Sequence, residues 1–293
     1  MRPESNYLVV LNYNDFETTD CFLSRAIRLH TVNGIIVVDT CSTDESFSRL
    51  KSKYGNNVVV LRTTSNGGYG AGNNFGIRYA ISKFNADLIF VANPDTSFND
   101  ASILEIEAVF QDYPDAGIVS CRMESNATYN ALPAWRLPSY CDCLKEALPG
   151  GDKVFKVRNS YKEEYLCNSS PVLVDVLPGS FFAISSKAFE AVGGFDESTF
   201  LYYEENILSY KLMSKGFRNY LVSTTHYQHY HSVSINKEYG QSLKKFKIAQ
   251  DSRMVYCRTC LNIGLAKRLS LSLVFHLGLA MYRLFTMLKT RRK

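Results

Sequence analysis

Asp95 ends the tripeptide Asn93-Pro94-Asp95, directly after the apolar run 88–92. An acid delivered at the carboxyl end of a short buried strand stands where an open α/β sheet binds its ligand. Pro94 keeps the backbone out of helix, so Asp95 is presented on a rigid turn. Taken alone, Asn-Pro-Asp reads better as an ordinary turn signal. It gains weight because other acids follow strands in the same way: Asp15 after Asn14, then Asp39, then Asp44. In a doubly wound sheet these converge on one carboxyl edge, a polar rim suited to ribose, base and metal–diphosphate contacts.

A second group is the adjacent pair Glu204 and Glu205, which opens a helix after the apolar stretch 200–203. Carboxylates at a helix N-terminus are favoured by the dipole whatever their function. Emergence from a buried, strand-like segment into a cleft would raise a carboxyl's pKa above the ordinary value of about 4.3 and improve it as a general base. His226, His229 and His231 form a third group, in which His229 and His231 share one face of a strand. One such imidazole in a metal or phosphate contact is the expectation.

The segment Asn66 to Gly76 is glycine-rich and lies between a strand and a helix. It fails the spacing of a dinucleotide fingerprint and lacks the Gly-Lys-Ser/Thr of a phosphate loop. What remains is backbone able to approach a ligand closely, with Asn73 and Asn74 as polar contacts.

These groups need a scaffold, and the pattern supplies one. Apolar runs at 7–11, 34–38, 58–61 and 88–91 alternate with helical stretches at 16–29 and 75–84, and Ser42, Thr43 and Asp44 are placed to cap the helix between the second and third runs. This is an α/β pattern: a mostly parallel sheet built from right-handed crossovers, with 117–121 as a fifth strand. From 122 to 170 the pattern dissolves into Pro, Tyr, Asn and charged residues around the single tryptophan, Trp135, and reads as a long substrate-side insertion. Order returns with strands at 172–177 and 181–184. A helix capped by Ser185 or Ser186 stops at Gly193-Gly194, and another spans 204–215.

The 293 residues are 46% hydrophobic and 21% charged, which excludes a disordered chain. Nineteen tyrosines and 18 phenylalanines exceed what packing needs and suit sugar rings, bases or membrane interfaces. The net charge of +5 is concentrated toward the C-terminus, which points to an anionic surface, membrane or nucleic acid. The polar opening Met1 to Asn6 has no apolar core, so no signal peptide is expected. The eight cysteines do not form two matched pairs, and reduced thiols are expected rather than a structural zinc site.

In their order along the chain, these pieces resemble a family 2 glycosyltransferase with the GT-A fold, of the bacterial rhamnosyl- and galactosyltransferase-like branch. The resemblance is carried by Val9-Val-Leu-Asn-Tyr-Asn14, Val37-Val-Asp-Thr-Cys-Ser-Thr-Asp-Glu-Ser46, the Asn66 to Gly76 segment and Asn93-Pro-Asp95. It continues through Pro178-Gly-Ser-Phe-Phe182, Gly194-Phe-Asp-Glu197, Tyr203-Glu-Glu-Asn-Ile-Leu-Ser209 and the segment from His229 to Ser234. Each fragment is weak; the ordered set, over about residues 7–235, is specific.

The resemblance implies inverting transfer of a sugar, from dTDP-rhamnose or a UDP-hexose, to a saccharide acceptor in surface polysaccharide (O-antigen or capsule) assembly. By resemblance, Tyr13, Asp39 and Asn66 hold the nucleoside, with Asn73 and Asn93 beside it. Asp95 ligates a divalent ion, Mg²⁺ or Mn²⁺, on the diphosphate, and His229 supports it from the other side. Glu205 takes the place of the catalytic base, with Glu204 as the alternative. His231 and Trp135 fall on the acceptor or phosphate side. The chain departs from the pattern where Asp-x-Asp becomes Asn93-x-Asp95, and where the base is Glu rather than Asp.

On this reading residues 1–120 form the nucleotide-sugar half and 121–240 the acceptor half of one domain, with C-terminal helices at 241–293. The stretch 269–288 is apolar but interrupted by Ser270, Ser272, His276, Arg283 and Thr286, so it is a poor membrane span. With its Lys-Thr-Arg-Arg-Lys ending it reads as an interfacial helix, and a helix packed on the domain is the competing reading. The expected location is the cytoplasm, peripheral on the inner face of a bacterial membrane, with a lipid-linked acceptor and no nucleic acid partner. Two rival functions are a nucleotidyltransferase, disfavoured because no Gly-rich basic loop follows the first strand, and a non-catalytic nucleotide-sugar binder.

Overall fold

A computed structural model describes residues 5–125, 132–155, 159–167, 169–230 and 243–290. The first half alternates strand and helix: β1 (Asn6–Asn12), α1 (Phe16–Ala26), β2 (Gly34–Asp39), α2 (Ser46–Tyr54), β3 (Val59–Arg62), α3 (Gly68–Phe84) and β4 (Leu88–Ala92). A two-residue strand β5 (Thr96–Ser97), α4 (Asp100–Asp112) and the long β6 (Ala116–Ser125) follow. Three short helices, α5 (Tyr140–Glu146), α6 (Gly151–Val154) and α7 (Glu163–Leu166), precede β7 (Val172–Val174), β8 (Phe181–Ser185), α8 (Ser186–Val192), α9 (Glu204–Ser214) and β9 (Arg218–His229). Two helices, α10 (Leu243–Thr259) and α11 (Leu265–Thr290), close the described chain.

The described strands make one sheet in the order β3-β2-β1-β4-β8-β6-β9-β5, with β7 on β9 beside this path. β1 to β4 are mutually parallel, and β6 and β9 are parallel to each other. β8 runs antiparallel to both β4 and β6, and β5 and β7 run antiparallel to β9. The mixed α/β sheet is therefore mostly parallel, as the alternating pattern implies.

Alternate strand residues feed two cores. Leu8, Val10 and Val37 pack with Leu23, Leu50 and Ile106 from α1, α2 and α4 on one face. Val9, Ile36 and Val38 pack with Ile77, Phe189 and Leu208 from α3, α8 and α9 on the other. All five residues of β4 are buried, as expected of a strand covered on both faces. A third core joins Cys143 and Ala147 at α5, Tyr203 and Ile207 at the start of α9, and Tyr256, Cys257 and Leu271 from α10 and α11.

Four local expectations change. The stretch 122–170 is not structureless: β6 runs on to Ser125 and three helices follow. Ser139 caps α5 in a reciprocal box with Asp142, a local signal that the irregular composition hides. The strand expected over 172–177 joins the sheet only at Val172–Val174, and Val176 makes an isolated antiparallel bridge to Trp135 instead. Residues 200–203 are not strand-like; Tyr202 and Tyr203 have φ of +71° and +65° and turn the chain into α9. Finally, α3 begins at Gly68 rather than Phe75, so most of the glycine-rich segment is helix. Its glycines admit protein, not ligand: a Cβ at Gly76 would sit 2.6 Å from Val9 Cγ1, and one at Gly72 would sit 2.8 Å from Thr40 Cγ2. Gly68, at φ +87°, lies against the Phe200 carbonyl.

Candidate active site

The carboxyl ends of β1, β2 and β3 align Asn12, Asp39 and Arg62 as direct cross-strand neighbours. Asp39 is fully buried, and its oxygens accept from Asn12 Nδ2 (2.8 Å), Ser42 Oγ (2.6 Å) and the Ser42 amide (2.9 Å). Arg62 Nε lies 3.6 Å from Asp39 Oδ1, and Arg62 Nη2 donates to the Ser42 carbonyl at 2.7 Å. Asn14, at φ +49°, accepts the Thr43 amide at 2.8 Å, so the loops after β1 and β2 are sewn together. Tyr13 sits half-buried on that joint rim. Asp39 thus shapes the floor of the rim through its protein partners. Asp44 accepts the Ser46 amide at 2.9 Å just ahead of α2, but the N-cap residue is Glu45 and no side chain caps the helix, contrary to the expectation for Ser42, Thr43 or Asp44.

The next edge carries the acids. Because β8 lies antiparallel on β4, with Ala92 opposite Phe181, the chain after β4 meets the turn before β8. The Asn93 amide donates to the Ser180 carbonyl at 2.8 Å, and the Asn93 carbonyl accepts from Thr96 N (3.1 Å) and Thr96 Oγ1 (2.7 Å). Asp95 is fixed on this short loop. β5 then pairs with the end of β9, setting Thr96 opposite His229, and the Tyr230 amide donates to the Asp95 carbonyl at 2.9 Å. His229 Nε2 comes within 3.1 Å of Asp95 Oδ1, with side chains only 12% and 11% exposed. One strand pairing therefore unites two residues 134 apart in sequence.

The turn at Pro178-Gly179-Ser180 also holds the second acid. The Gly179 amide donates to Glu205 Oε1 at 3.3 Å, and Tyr69, in the first turn of α3, donates its phenol proton to the Gly179 carbonyl. Ser180 Oγ and Tyr227 Oη pair at 2.7 Å behind it. Glu205 is half-buried, and burial raises its carboxyl above the ordinary value. Glu204 is only 4% exposed and its Oε2 is buried with no hydrogen-bond partner among the described residues. Burial, followed by the neighbouring Glu205 charge, pushes Glu204 well above the ordinary range. A carboxyl so placed stays protonated where an exposed one would ionise. Burial and the two glutamates push the Tyr69 phenol up as well, so it remains a donor.

The remaining sequence candidates occupy more distant or structural positions. Asn66 accepts the Gly68 amide at 3.0 Å and shapes the start of α3. Asn73 is fully buried inside α3, donating to the Tyr69 carbonyl at 3.0 Å. Asn74 is committed to Phe195 and Glu197. Trp135 Nε1 donates to Asn206 Oδ1 at 2.8 Å, which docks the insertion on α9 one residue after Glu205. His226 is exposed and 3.5 Å from Glu124. His231 lies outside the described residues. Tyr69 and Ser180 lie within the quoted motifs but receive no role from the sequence, and Tyr227 goes unmarked there. The one available signal was Tyr69, an aromatic set among glycines.

Among the described residues no cluster of three His, Cys, Asp or Glu forms a metal site. The converging Asp95 carboxylate and His229 imidazole nevertheless fit a hard divalent ion that takes one or two protein ligands and completes its shell with substrate phosphates.

Residues 7–193 match glycosyl transferase family 2. The chain belongs to that family. The match ends before Glu204 and Glu205, so those positions rest on the structure. A low-salt glycan biosynthesis hexosyltransferase, Agl10, of Haloferax volcanii is 30% identical over 207 residues, covering 70% of this chain and 60% of that protein's length. An N-acetylglucosaminyl-diphospho-decaprenol L-rhamnosyltransferase of Mycobacterium tuberculosis is 29% identical over 245 residues, 79% of this chain and 78% of that protein. Among solved structures, GalNAc-T7 with UDP, GalNAc and Mn²⁺ superposes with a TM-score of 0.63 at 14% identity, over 87% of this chain and 48% of that one. That likeness establishes the GT-A fold of this family 2 chain.

Proposed function

We propose that this family 2 protein transfers a hexosyl group, with inversion, from a nucleotide-diphosphate sugar to a hydroxyl of a saccharide acceptor. The observation that carries the reading is the meeting of two acid sites at one turn. Asn93 holds Ser180 on one side and Gly179 holds Glu205 on the other, so the Asp95–His229 pair and the Glu205 carboxylate share one sheet edge.

On this reading the joint rim of Tyr13, Asn14 and the Asp39 loop takes the nucleoside, with Asn66 and Asn93 beside it, and the diphosphate extends toward Asp95. Asp95 and His229 would hold the divalent ion, Mg²⁺ or Mn²⁺, which when bound offsets charge on the leaving diphosphate. Glu205 accepts the proton of the acceptor hydroxyl as that oxygen attacks the anomeric carbon from the face opposite the diphosphate. The new carbon–oxygen bond forms, the bond to the diphosphate oxygen breaks, and the configuration inverts. Burial raises the proton affinity of Glu205 toward that of an effective base. Glu204, more deeply buried, stays neutral beside it, which favours Glu205 as the base. Gly179 and Tyr69 fix the direction in which Glu205 points.

The Haloferax relative supports hexosyl transfer in glycan biosynthesis, and the Mycobacterium relative, a rhamnosyltransferase named for a diphospho-decaprenol-linked sugar, supports a lipid-linked acceptor and makes a rhamnosyl donor one to test. No described helix is long and apolar enough to cross a membrane. On α11, Leu265, Leu269, Leu273 and Leu277 are 73%, 63%, 72% and 53% exposed at four-residue spacing, while Leu271 on another face is buried in the third core. The buried face supports the reading of a helix packed on the domain, and the exposed face supports the interfacial reading. The leucine stripe, with the basic residues Lys267, Arg268 and Arg283 on the same helix, supports docking on an anionic membrane surface.

The test is a turnover screen of UDP-, dTDP- and GDP-sugars with a lipid-linked acceptor mimic. Transfer giving the inverted anomer is the expected result. Tight nucleotide binding without turnover for every donor would instead favour a non-catalytic binder.

A further inference from the structure

Tyr203 caps α9, and its backbone sets the direction in which the first helical turn presents Glu204 and Glu205. Both Tyr202 and Tyr203 occupy the left-handed region, which L-residues adopt only when surroundings hold them there. The Tyr69 amide holds one side of this segment, donating to the Phe200 carbonyl at 3.1 Å. The other side is held from α10, outside the family match. Ser252 Oγ donates to the Leu201 carbonyl at 2.8 Å. Arg253 Nε donates to Tyr203 Oη at 2.9 Å, and its guanidinium lies 5.3 Å from the Tyr203 ring centroid.

Arg253 is 7% exposed, and each of its three nitrogens has a partner. Its Nη2 stands 3.4 Å from Glu146 Oε2, the same oxygen that accepts the Tyr203 phenol proton at 2.8 Å. Its Nη1 donates to Gln250 Oε1, and Gln250 in turn donates to the Ala147 carbonyl at 2.9 Å. A buried ion pair of this kind is a poor way to gain stability, because apolar residues of similar size join helices as well or better. What the guanidinium adds is direction: a planar fork that fixes the phenol, and with it the turn.

We propose that Arg253 is a positioning residue for the glutamate pair, acting through Tyr203 to hold the left-handed turn that aims Glu205 at Gly179. The inference rests on the reading of Glu205 as the base. It adds a requirement for α10 in the chemistry, from a helix that touches none of the reacting atoms.

The experiment compares Arg253→Met, Arg253→Lys, Tyr203→Phe and the double variant Arg253→Met/Tyr203→Phe with wild type. It measures nucleoside-diphosphate release from UDP-, dTDP- and GDP-hexoses, UDP affinity by calorimetry, and thermal midpoint. Arg253→Met is expected to lower kcat by about 100-fold while UDP affinity is retained, as a base displaced by an ångström would. Arg253→Lys recovers part of the loss. The double variant falls no further than Arg253→Met, because both changes act on one path. A crystal structure of Arg253→Met is expected to show Tyr203 out of the left-handed region, a result that stands even if no donor is turned over. Should Arg253→Met not fold, Tyr203→Phe carries the test, with an expected kcat loss of about tenfold and no loss of UDP affinity. A lower thermal midpoint with unchanged kcat, or Tyr203 unmoved in the variant, overturns the inference and leaves the base assignment standing. A fully active Glu205→Gln instead removes the base assignment, and the inference falls with it.

Discussion

Glu205 accepts the backbone N–H of Gly179 through Oε1 at 3.3 Å, and a Cβ at position 179 would stand 2.8 Å from that same oxygen. The glycine is thus required by the carboxylate's position: no side chain fits between the turn and the acid. Gly179→Ala should displace Glu205 or the Tyr69 phenol, which would be 3.1 Å from the added carbon. The expected outcome is a fall in kcat of about 10- to 100-fold with little change in UDP affinity. Steady-state kinetics and calorimetry on the one variant check both halves.

Glu204 should make stability fall with rising pH. Its folded carboxyl holds its proton more tightly than in the unfolded chain, so its contribution is fully present below the unfolded value of about 4.3 and is lost as pH climbs toward the raised folded value. Glu204→Gln removes that titration. Denaturant unfolding from pH 5 to 8 should show the variant gaining on wild type as pH rises, by roughly 1–3 kcal/mol at the upper end. Parallel curves would mean that Glu204 does not carry a raised value.

Asp95→Asn should weaken UDP binding in the presence of Mn²⁺ far more than in chelator, since the loss falls on the ion that Asp95 and His229 would hold. His229→Ala should show the same pattern with a smaller loss, about tenfold against about 100-fold. Calorimetry with and without metal separates this from a general loss of nucleotide affinity.

The leucine stripe of α11 makes a separate prediction. Leu269→Ser/Leu273→Ser/Leu277→Ser should reduce cosedimentation with vesicles containing anionic phospholipid by about tenfold or more, because three exposed apolar contacts are lost. Turnover on a water-soluble acceptor should be unchanged. Vesicle binding that survives the triple substitution would assign the docking to another surface.

The strand-helix alternation was legible because β1 to β4 are short apolar runs ending in polar turns, and local pattern is enough to find them. Asp95 and Glu205 could be singled out as candidates for a different reason: the order of motifs along the chain. What escaped were contacts whose partners lie far away in sequence. Tyr69 meets Gly179 across 110 positions, and Arg253 meets Tyr203 across 50. The glycines of α3 looked like a ligand loop because the side chains they admit, Val9 and Val38 among them, are on other strands. The helices of the insertion were hidden by a composition poor in periodic apolar residues, although α5 carries a local capping signal in Ser139 and Asp142.

The central claim is that Glu205 removes the acceptor proton, and the most direct measurement is single-turnover transfer by Glu205→Gln and Glu204→Gln beside wild type. Glu205→Gln should bind UDP and donor normally yet lose transfer by about 10²- to 10⁴-fold, while Glu204→Gln keeps most of its activity. In wild type the acidic limb of kcat/KM should lie above the ordinary glutamate value of about 4.3, in the direction that burial drives Glu205. Full transfer by Glu205→Gln, with the loss appearing in Glu204→Gln instead, would contradict the account.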